Sequence, residues 1–183
     1  MKDKSNSRLH LGSGTVYLQG FDNVDLVGKA DIYDDVVTLR KIKGKYKEII
    51  ACMVLEHLGK FKYKLALKRW YELLENNGTL RITVPDFEAI CQYYLKTKDL
   101  DSLYSALYAG QDKPYNFHYW CWDFETLKKD LEDIGFRDVK RCQPNKVRDW
   151  STNFVPYRKD GLELPDNEWF KGTNISLNVE CKK

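Results

Sequence analysis

The sequence predicts an α/β fold in which helices pack around a mostly parallel sheet. Two observations carry this prediction. Strand-like and helix-like segments alternate through most of the chain, and the apolar run at 48–52 is typical of a strand buried on both faces. The chain has 183 residues, 43% hydrophobic and 14% aromatic, which suits one folded domain over 1–183 and excludes disordered and low-complexity classes.

The strand-like segments come in an order that leaves little room for the first connection. They lie at 8–11, 23–26, 30–33, 48–52, 79–84, 136–142 and 175–181. Between the Gly12-Ser13-Gly14 turn and Asp25 there is too little chain for a full crossover helix plus a strand. We therefore expect the first crossover to be a loop or a single turn.

Three helical stretches are indicated by their spacing and end signals. Apolar residues recur every three or four positions over 61–74, and Asn76-Asn77-Gly78 is a typical helix end. A second stretch covers about 87–109, with a break near Asp99. Asp123 can cap a third helix that Gly135 closes.

Composition narrows the classes of protein further. The net charge of +3 is too small to indicate nucleic-acid binding, and no stretch is apolar enough to span a membrane. Five cysteines without a CxxC pair are most simply reduced thiols, and the polar first residues do not look like a signal peptide. We expect a cytoplasmic protein with residues 1–7 disordered.

A Gly-x-Gly turn after the first strand is the most informative local pattern. Gly12 and Gly14 allow a sharp turn and a close approach of backbone to a ligand, although a plain tight turn has the same sequence. Asp25, at the end of the second strand, is placed to accept hydrogen bonds from a ribose diol, or is a surface acid. The Asp34-Asp35 pair after the third strand could reach an adenine, or lie at a solvated helix start.

Five pieces of sequence form an ordered set along the chain: Leu9-His10-Leu11-Gly12-Ser13-Gly14, Gly20-Phe21-Asp22-Asn23-Val24-Asp25, Ala51-Cys52-Met53-Val54-Leu55-Glu56-His57-Leu58, Leu80-Arg81-Ile82-Thr83-Val84-Pro85-Asp86-Phe87 and Ser176-Leu177-Asn178-Val179-Glu180. As a set they resemble class I S-adenosylmethionine-dependent methyltransferases, most of all a short bacterial group. The resemblance runs from about residue 8 to 182. It implies a Rossmann-like three-layer sandwich with a seven-stranded sheet whose last strand is antiparallel.

The resemblance also implies a cofactor site for S-adenosylmethionine over the carboxyl ends of the first strands. Gly12-Ser13-Gly14 would face the methionine part and Asp25 the ribose. The Asp34-Asp35 pair would lie near the adenine, and Ala51-Cys52 would flank the sulfonium.

Glu56-His57 resembles the end of the ExxEH motif through which ubiquinone-pathway O-methyltransferases bind a divalent metal. The first position of that motif is Met53 here, a poor ligand for a hard cation. We therefore expect no metal. His57 is a candidate general base, or a structural histidine.

His118 lies in an aromatic run just before the third helix, where similar methyltransferases place a histidine near the substrate cleft. Histidine can take the proton of a hydroxyl acceptor near neutral pH. We place His118 ahead of His57 as the base, with a packed structural histidine as the alternative.

Substrate contacts are expected from four residues: Glu56, Tyr119, Arg148 and Trp150. The last two lie in 143–173, a long irregular segment between the last two strands that is expected to be a binding loop or lid, or a loop packed over the sheet edge. Aromatic and arginine side chains there would suit a sugar or an anionic acceptor.

Basic residues with interleaved aromatics occur at 40–47 and 60–64. They could follow a phosphate backbone, but a solvated face with inward-pointing aromatics is more common, so we expect no nucleic-acid partner. The sequence thus predicts methylation of an oxygen on a small molecule or a sugar unit. An RNA-modifying methyltransferase and a non-catalytic cofactor- or partner-binding module are the alternatives.

Overall fold

The computed structural model describes residues 7–142 and 175–183. These residues form a seven-stranded sheet with the strand order β3-β2-β1-β4-β5-β7-β6. Its strands are β1 Arg8–Leu11, β2 Asp22–Asp25, β3 Ile32–Tyr33, β4 Tyr46–Cys52, β5 Leu74–Pro85, β6 Arg137–Arg141 and β7 Ser176–Lys182. Only β7 runs antiparallel to its neighbours, β5 and β6. The predicted fold class, including the antiparallel last strand, is confirmed.

The centre of the sheet is buried because its strands carry unbroken apolar runs. In β4, Ile49, Ile50 and Ala51 are almost fully buried. Ile49 pairs in parallel with Leu80 of β5, which is also fully buried. Burial on both faces is what a central parallel strand requires, and it explains why this run could be recognised from sequence.

Helices cover the half of the sheet that contains β4 to β7. They are α1 Lys62–Leu73, α2 Phe87–Thr97, α3 Tyr104–Tyr108 and α4 Phe124–Ile134, with 3₁₀ turns at Leu55–His57 and Asp101–Leu103. The predicted apolar face of α1 is buried, and the indole N–H of Trp70 on that face donates to the carbonyl of Val36 at 2.8 Å. None of the helices in the described part of the chain is both long and apolar enough to cross a membrane.

The predicted end of the first helix is wrong. The helix stops at Leu73, and Leu74 already pairs with Tyr46 in the sheet, so Asn76-Asn77-Gly78 lies within β5. Asn77 does adopt the left-handed conformation expected of it, with φ of 63°. Tyr46 pairs with Leu74 and Glu48 with Thr79, so Asn76-Asn77-Gly78 lies in an irregularity of the β4–β5 pairing that accommodates the preference of these three residues for a turn.

The other helix boundaries follow their sequence signals. Lys98, at φ of 56°, ends α2 next to the predicted break at Asp99. Asp123 caps α4 by accepting a hydrogen bond from the Thr126 N–H at 2.8 Å, and Gly135 closes that helix with φ of 116°.

The first crossover is a loop, as predicted, and the next two connections also lack helices. Residues 12–21, between β1 and β2, contain no helix, and neither do residues 26–31 nor residues 34–45. These three connections are loops and turns. The helices occur only in the connections that follow β4 in the described part of the chain.

Candidate functional site

The predicted cofactor residues meet at the carboxyl edge of the sheet. Leu11, the last residue of β1, is level with Val24 of β2 and with Ala51 of β4. The Gly12-Ser13-Gly14 turn, Asp25 and Cys52 therefore leave the sheet side by side. Open parallel sheets bind ligands at this edge, where neighbouring crossovers diverge.

The Gly12-Ser13-Gly14 turn has two glycines in the left-handed region, with φ of 66° and 52°. A Cβ on Gly12 would lie 2.1 Å from Cγ2 of Val54, whereas a Cβ on Gly14 would meet nothing within 4 Å. Gly12 is thus required for packing, and Gly14 faces open space. Between them, the buried Ser13 donates its hydroxyl to the carbonyl of Lys29 at 2.8 Å.

Asp25 is fixed directly beside this turn. One carboxylate oxygen accepts the Gly14 N–H at 2.7 Å, and the other accepts the Val27 N–H at 3.0 Å. Each oxygen of an ionised carboxylate has a second lone pair. The side chain is therefore oriented by the backbone and can still accept hydrogen bonds from a ligand.

Asp34 and Asp35 are engaged in the turn that follows β3. The buried Asp34 accepts the N–H of Asp35 at 2.9 Å and that of Lys41 at 2.6 Å. Asp35 accepts the N–H of Val37 at 2.7 Å. Both carboxylates thus shape the local backbone, and the expectation that they lie near an adenine stays a prediction.

Ala51 and Cys52 end β4, and the chain turns sharply after them. Met53 adopts a left-handed φ of 49°, and its N–H donates to the carbonyl of Thr83 at 2.9 Å. The 3₁₀ turn Leu55–His57 begins two residues later. Val54, which packs on Gly12, directly precedes this 3₁₀ turn. Glu56 and His57 therefore follow closely, along the chain, a residue that contacts the Gly12-Ser13-Gly14 turn.

Glu56, His57 and His118 form a cluster, called here the Glu–His–His cluster. The Glu56 side chain is 0% exposed, and neither carboxylate oxygen has a hydrogen-bond partner among the described residues. Nε2 of His118 lies 3.9 Å from the nearer oxygen, beyond hydrogen-bond distance. The rings of His57 and His118 meet edge to face, with centroids 4.7 Å apart.

Both imidazole rings are held by backbone carbonyls. Nδ1 of His57 lies 3.1 Å from the carbonyl oxygen of Phe117, and Nδ1 of His118 lies 2.9 Å from that of Ala106. A carbonyl can only accept, so Nδ1 carries the proton in each ring. The lone pair of each neutral ring is therefore on Nε2.

Burial sets the charge of this cluster. It raises the pKa of Glu56 to about 8. It lowers the pKa of His118 to about 4. The hydrogen bond to the Ala106 carbonyl opposes this shift, and the nearby His57 lowers the pKa further by a smaller amount. Burial also lowers the pKa of His57, opposed by the carbonyls of Phe117 and Tyr115. At neutral pH both rings are uncharged, as a base or a metal ligand must be.

The segment that carries His118 is tied to the 3₁₀ turn by its backbone. The N–H of Tyr119 donates to the carbonyl of Glu56 at 2.8 Å, and that of His118 donates to the carbonyl of Tyr108 at 3.4 Å. The Tyr119 side chain is 56% exposed beside the cluster. Of the four predicted substrate residues, Glu56 and Tyr119 therefore come together, whereas Arg148 and Trp150, with the rest of 143–173, lie outside the described residues.

The basic segments resemble a solvated face. At 40–47, Ile42 and Tyr46 are buried while the basic residues around them are exposed. At 60–64, Tyr63 is buried but Phe61 is 83% exposed.

Two features of the site were missed from sequence. The first is that His57 and His118 touch, because only the tertiary fold brings these distant positions together. The second is Gly28, where a Cβ would lie 2.2 Å from the carbonyl oxygen of Gly14. The glycine shortly after Asp25 was the available signal for that contact.

Comparison with known proteins identifies the fold. No protein-family model and no curated protein matches the sequence. Solved structures do match. An S-adenosylmethionine-dependent methyltransferase of Archaeoglobus fulgidus is 16% identical with a TM-score of 0.57, over 96% of this chain and 85% of that one. A possible histamine N-methyltransferase of Thermotoga maritima is 15% identical with a TM-score of 0.56, over 96% and 81%.

A third match has its ligands bound. It is the 1,6-didemethyltoxoflavin N1-methyltransferase of Burkholderia thailandensis, with 1,6-didemethyltoxoflavin and S-adenosylhomocysteine. It is 16% identical with a TM-score of 0.53, over 96% of this chain and 70% of that one. The fold of this chain is thus that of the class I S-adenosylmethionine-dependent methyltransferases. It is a version in which the first crossovers are loops.

Proposed function

We propose that this chain is an S-adenosylmethionine-dependent methyltransferase that methylates an oxygen of a small molecule or a sugar unit. The observation that carries the proposal is the arrangement at the carboxyl edge of the sheet. A left-handed Gly-x-Gly turn and an oriented carboxylate lie side by side there, on the fold of such enzymes.

The residues at this edge fit the cofactor. Gly14 has open space where a side chain would be, so a ligand can approach its backbone. Asp25, held by two backbone N–H groups, keeps lone pairs for the two hydroxyls of a ribose. Gly12-Ser13-Gly14 and Asp25 would hold the methionine and ribose parts, and Ala51-Cys52 would flank the sulfonium. The bound cofactor supplies a methyl group on an electrophilic sulfur.

The chain's own task is then to align the acceptor, exclude water and remove its proton. The Glu–His–His cluster supplies the candidate bases for the last of these. Nε2 of His118 has its lone pair because Nδ1 donates to the carbonyl of Ala106, but burial lowers the pKa of the ring to about 4 and makes it a weaker base than a free histidine. His118 is the first candidate to accept the proton of a hydroxyl, and His57 the second. Tyr119 would contact the acceptor, since its backbone N–H donates to the carbonyl of Glu56 and its side chain is exposed.

A small-molecule acceptor and a cytoplasmic location are supported by separate observations. The Burkholderia thailandensis enzyme of the same fold was crystallised with a small-molecule ligand. In the present chain Cys91, Cys121 and Cys181 are free thiols, as is usual in a reducing compartment.

The substitution Asp25→Ala tests the cofactor site. Two charge-assisted hydrogen bonds to a ribose contribute about 3 kcal/mol or more together, so affinity for S-adenosylhomocysteine should fall at least about 100-fold. Asp25→Asn keeps one acceptor oxygen and should lose less. Asp133→Ala, on the exposed part of α4, is the matched control and should bind as the wild type does. Calorimetry measures all four proteins, and an unchanged affinity in Asp25→Ala would place the cofactor elsewhere.

Activity assays separate the proposed reaction from its rivals. With S-adenosylmethionine and a panel of hydroxylated acceptors, mass spectrometry should detect a product heavier by one methylene. Cofactor binding without turnover across a broad panel would instead identify a non-catalytic module. Tight binding of nonspecific RNA at low salt, weakening steeply with added salt, would favour an RNA-modifying enzyme.

A further inference from the structure

We infer that the Glu–His–His cluster is a binding site for a divalent transition-metal cation, held by one carboxylate oxygen of Glu56 and one ring nitrogen each of His57 and His118. Binding of the ion does not depend on the proposed function. The role of the ion in catalysis does rest on it.

The spacing of the three donor atoms fits a metal centre. Each residue offers one ligand atom, and the three atoms lie within 4.8 Å of one another. Around a tetrahedral zinc with bonds of about 2.1 Å, ligand atoms are about 3.4 Å apart. The side chains therefore need to close in by little more than an ångström. Two imidazoles and one carboxylate are a donor set that suits Zn²⁺ and its first-row neighbours better than Mg²⁺.

The Glu56 carboxylate gives independent support. It is fully buried, and among the described residues no N–H or O–H group reaches either of its oxygens. Burying a carboxylate without a partner costs several kcal/mol, and proteins normally avoid this by pairing it or by letting it coordinate a metal. A cation between Glu56 and the two imidazoles would supply the missing positive charge.

The histidine rings are arranged as metal ligands usually are. A ligating histidine typically donates its second ring N–H to a carbonyl or carboxylate, which fixes the tautomer and the ring direction. The carbonyls of Phe117 and Ala106 do this for His57 and His118, respectively. In His118 the remaining nitrogen, Nε2, lies 3.9 Å from the nearer oxygen of the Glu56 carboxylate.

The location of the site suggests its use. Glu56 follows Val54 closely along the chain, and Val54 packs against Gly12 of the predicted cofactor turn. Three protein ligands leave at least one coordination position for an oxygen donor, as in catalytic zinc sites. A hydroxyl bound there would become more acidic. His57 and His118 would then hold the ion rather than take the proton themselves, and the acceptor class would be molecules that offer an oxygen to a metal.

The sequence predicts no metal because Met53 occupies the first ligand position of the ExxEH motif. Such a motif contains only residues that are close together in sequence. The fold supplies a ligand from elsewhere, because the loop before α4 carries His118 to the 3₁₀ turn. Met53 is therefore not needed as a ligand.

Metal titration of the full chain tests the inference. After treatment with a chelator and its removal, the wild type should bind one Zn²⁺ per chain by calorimetry, with Mg²⁺ at least about 100-fold weaker. His118→Gln, His57→Gln and Glu56→Gln should each weaken Zn²⁺ binding at least 10-fold. Circular dichroism of each variant shows whether it is folded.

The control addresses zinc binding by thiols. Cys121 is exposed, so Cys121→Ser is the matched variant and should bind Zn²⁺ as the wild type does. The visible spectrum of the Co²⁺-loaded protein should lack thiolate charge-transfer bands. The inference is overturned if the wild type binds no Zn²⁺, if His118→Gln binds it unchanged, or if Cys121→Ser loses it.

The same proteins separate this inference from the proposed function. S-adenosylhomocysteine is titrated into chelator-treated wild type in a separate experiment. Binding of Zn²⁺ without S-adenosylhomocysteine would leave the metal site and remove the methyltransferase proposal. The reverse result would remove the metal site alone.

Discussion

Two groups of ionisable side chains in this protein, one partly exposed and the other largely buried, are organised in opposite ways. In the middle of the sheet, Arg81 of β5 pairs with Glu48 of β4 and with Glu180 of β7, at 2.9 Å for the second contact. Arg8 and Lys140 add further contacts to the two carboxylates, at 3.4 Å and 3.5 Å. In the Glu–His–His cluster, by contrast, the carboxylate meets two neutral rings and no described donor.

The two groups differ in whether their ionisable side chains have partners of opposite charge within the chain. The Arg81 network joins three neighbouring strands, and each of its charges has a partner within the chain. The Glu56 carboxyl is at the edge where ligands bind in this class of fold, and its surroundings favour the neutral form. The first group stabilises the fold, whereas the second is where we propose that a metal ion binds.

The largest expected effect is on the pH dependence of the unfolding free energy, because Glu56 should destabilise the protein as the pH rises. Burial raises its pKa from 4.5 to about 8, so the folded state holds the proton more tightly than the unfolded state. In the presence of chelator, the contribution of Glu56 to the free energy of unfolding is then fully present at acid pH. This contribution is lost as the pH rises from about 5 to about 8, by as much as roughly 4 kcal/mol. Urea unfolding measures this. Glu56→Gln, which cannot titrate, should lack this part of the slope; equal slopes would mean that Glu56 has a partner.

The substitution Arg81→Met should have the next largest effect. It leaves two carboxylates on the sheet, each less than one-fifth exposed, without their main cation. Removing one member of such a pair costs about 3 kcal/mol. The loss in unfolding free energy should shrink in the double variant Arg81→Met with Glu180→Gln, because that variant removes one of the orphaned charges. A loss below about 1 kcal/mol would show that the network contributes little.

A smaller effect is expected at Asp123, a carboxylate with one backbone partner at the start of α4. Asp123→Ala removes the hydrogen bond to the Thr126 N–H and should cost about 1 kcal/mol. Asp123→Asn, which can still cap the helix, should cost a few tenths at most. Thermal unfolding of the three proteins orders them, and an alanine variant as stable as the wild type would refute the capping role.

The sheet was predictable because its signals are local. The apolar run of β4, the Gly-x-Gly turn and the short distance from Gly14 to Asp25 each depend on neighbouring residues. They indicated a parallel sheet with a shortened first crossover. The end of α1 was not predictable in this way, since the pairing of Leu74 with Tyr46 decides it and joins distant parts of the chain.

The candidate site was predictable residue by residue but not as an arrangement. Asp25 lies beside the glycine turn as expected, yet nothing in the sequence shows that its oxygens also bind the backbone. The sequence indicates His57 and His118 only as two alternative bases. Their contact with each other and with Glu56 depends on how the loop before α4 packs, which periodicity and spacing do not encode.

The close packing of Gly28 on Gly14 couples two loops. Lys29 donates its N–H to the Gly14 carbonyl at 2.8 Å, and its own carbonyl accepts the Ser13 hydroxyl. The loop after β1 and the loop after β2 are therefore fastened together in both directions, with no space for a side chain at Gly28. A shift of one loop would therefore have to break these contacts or move the other loop with it.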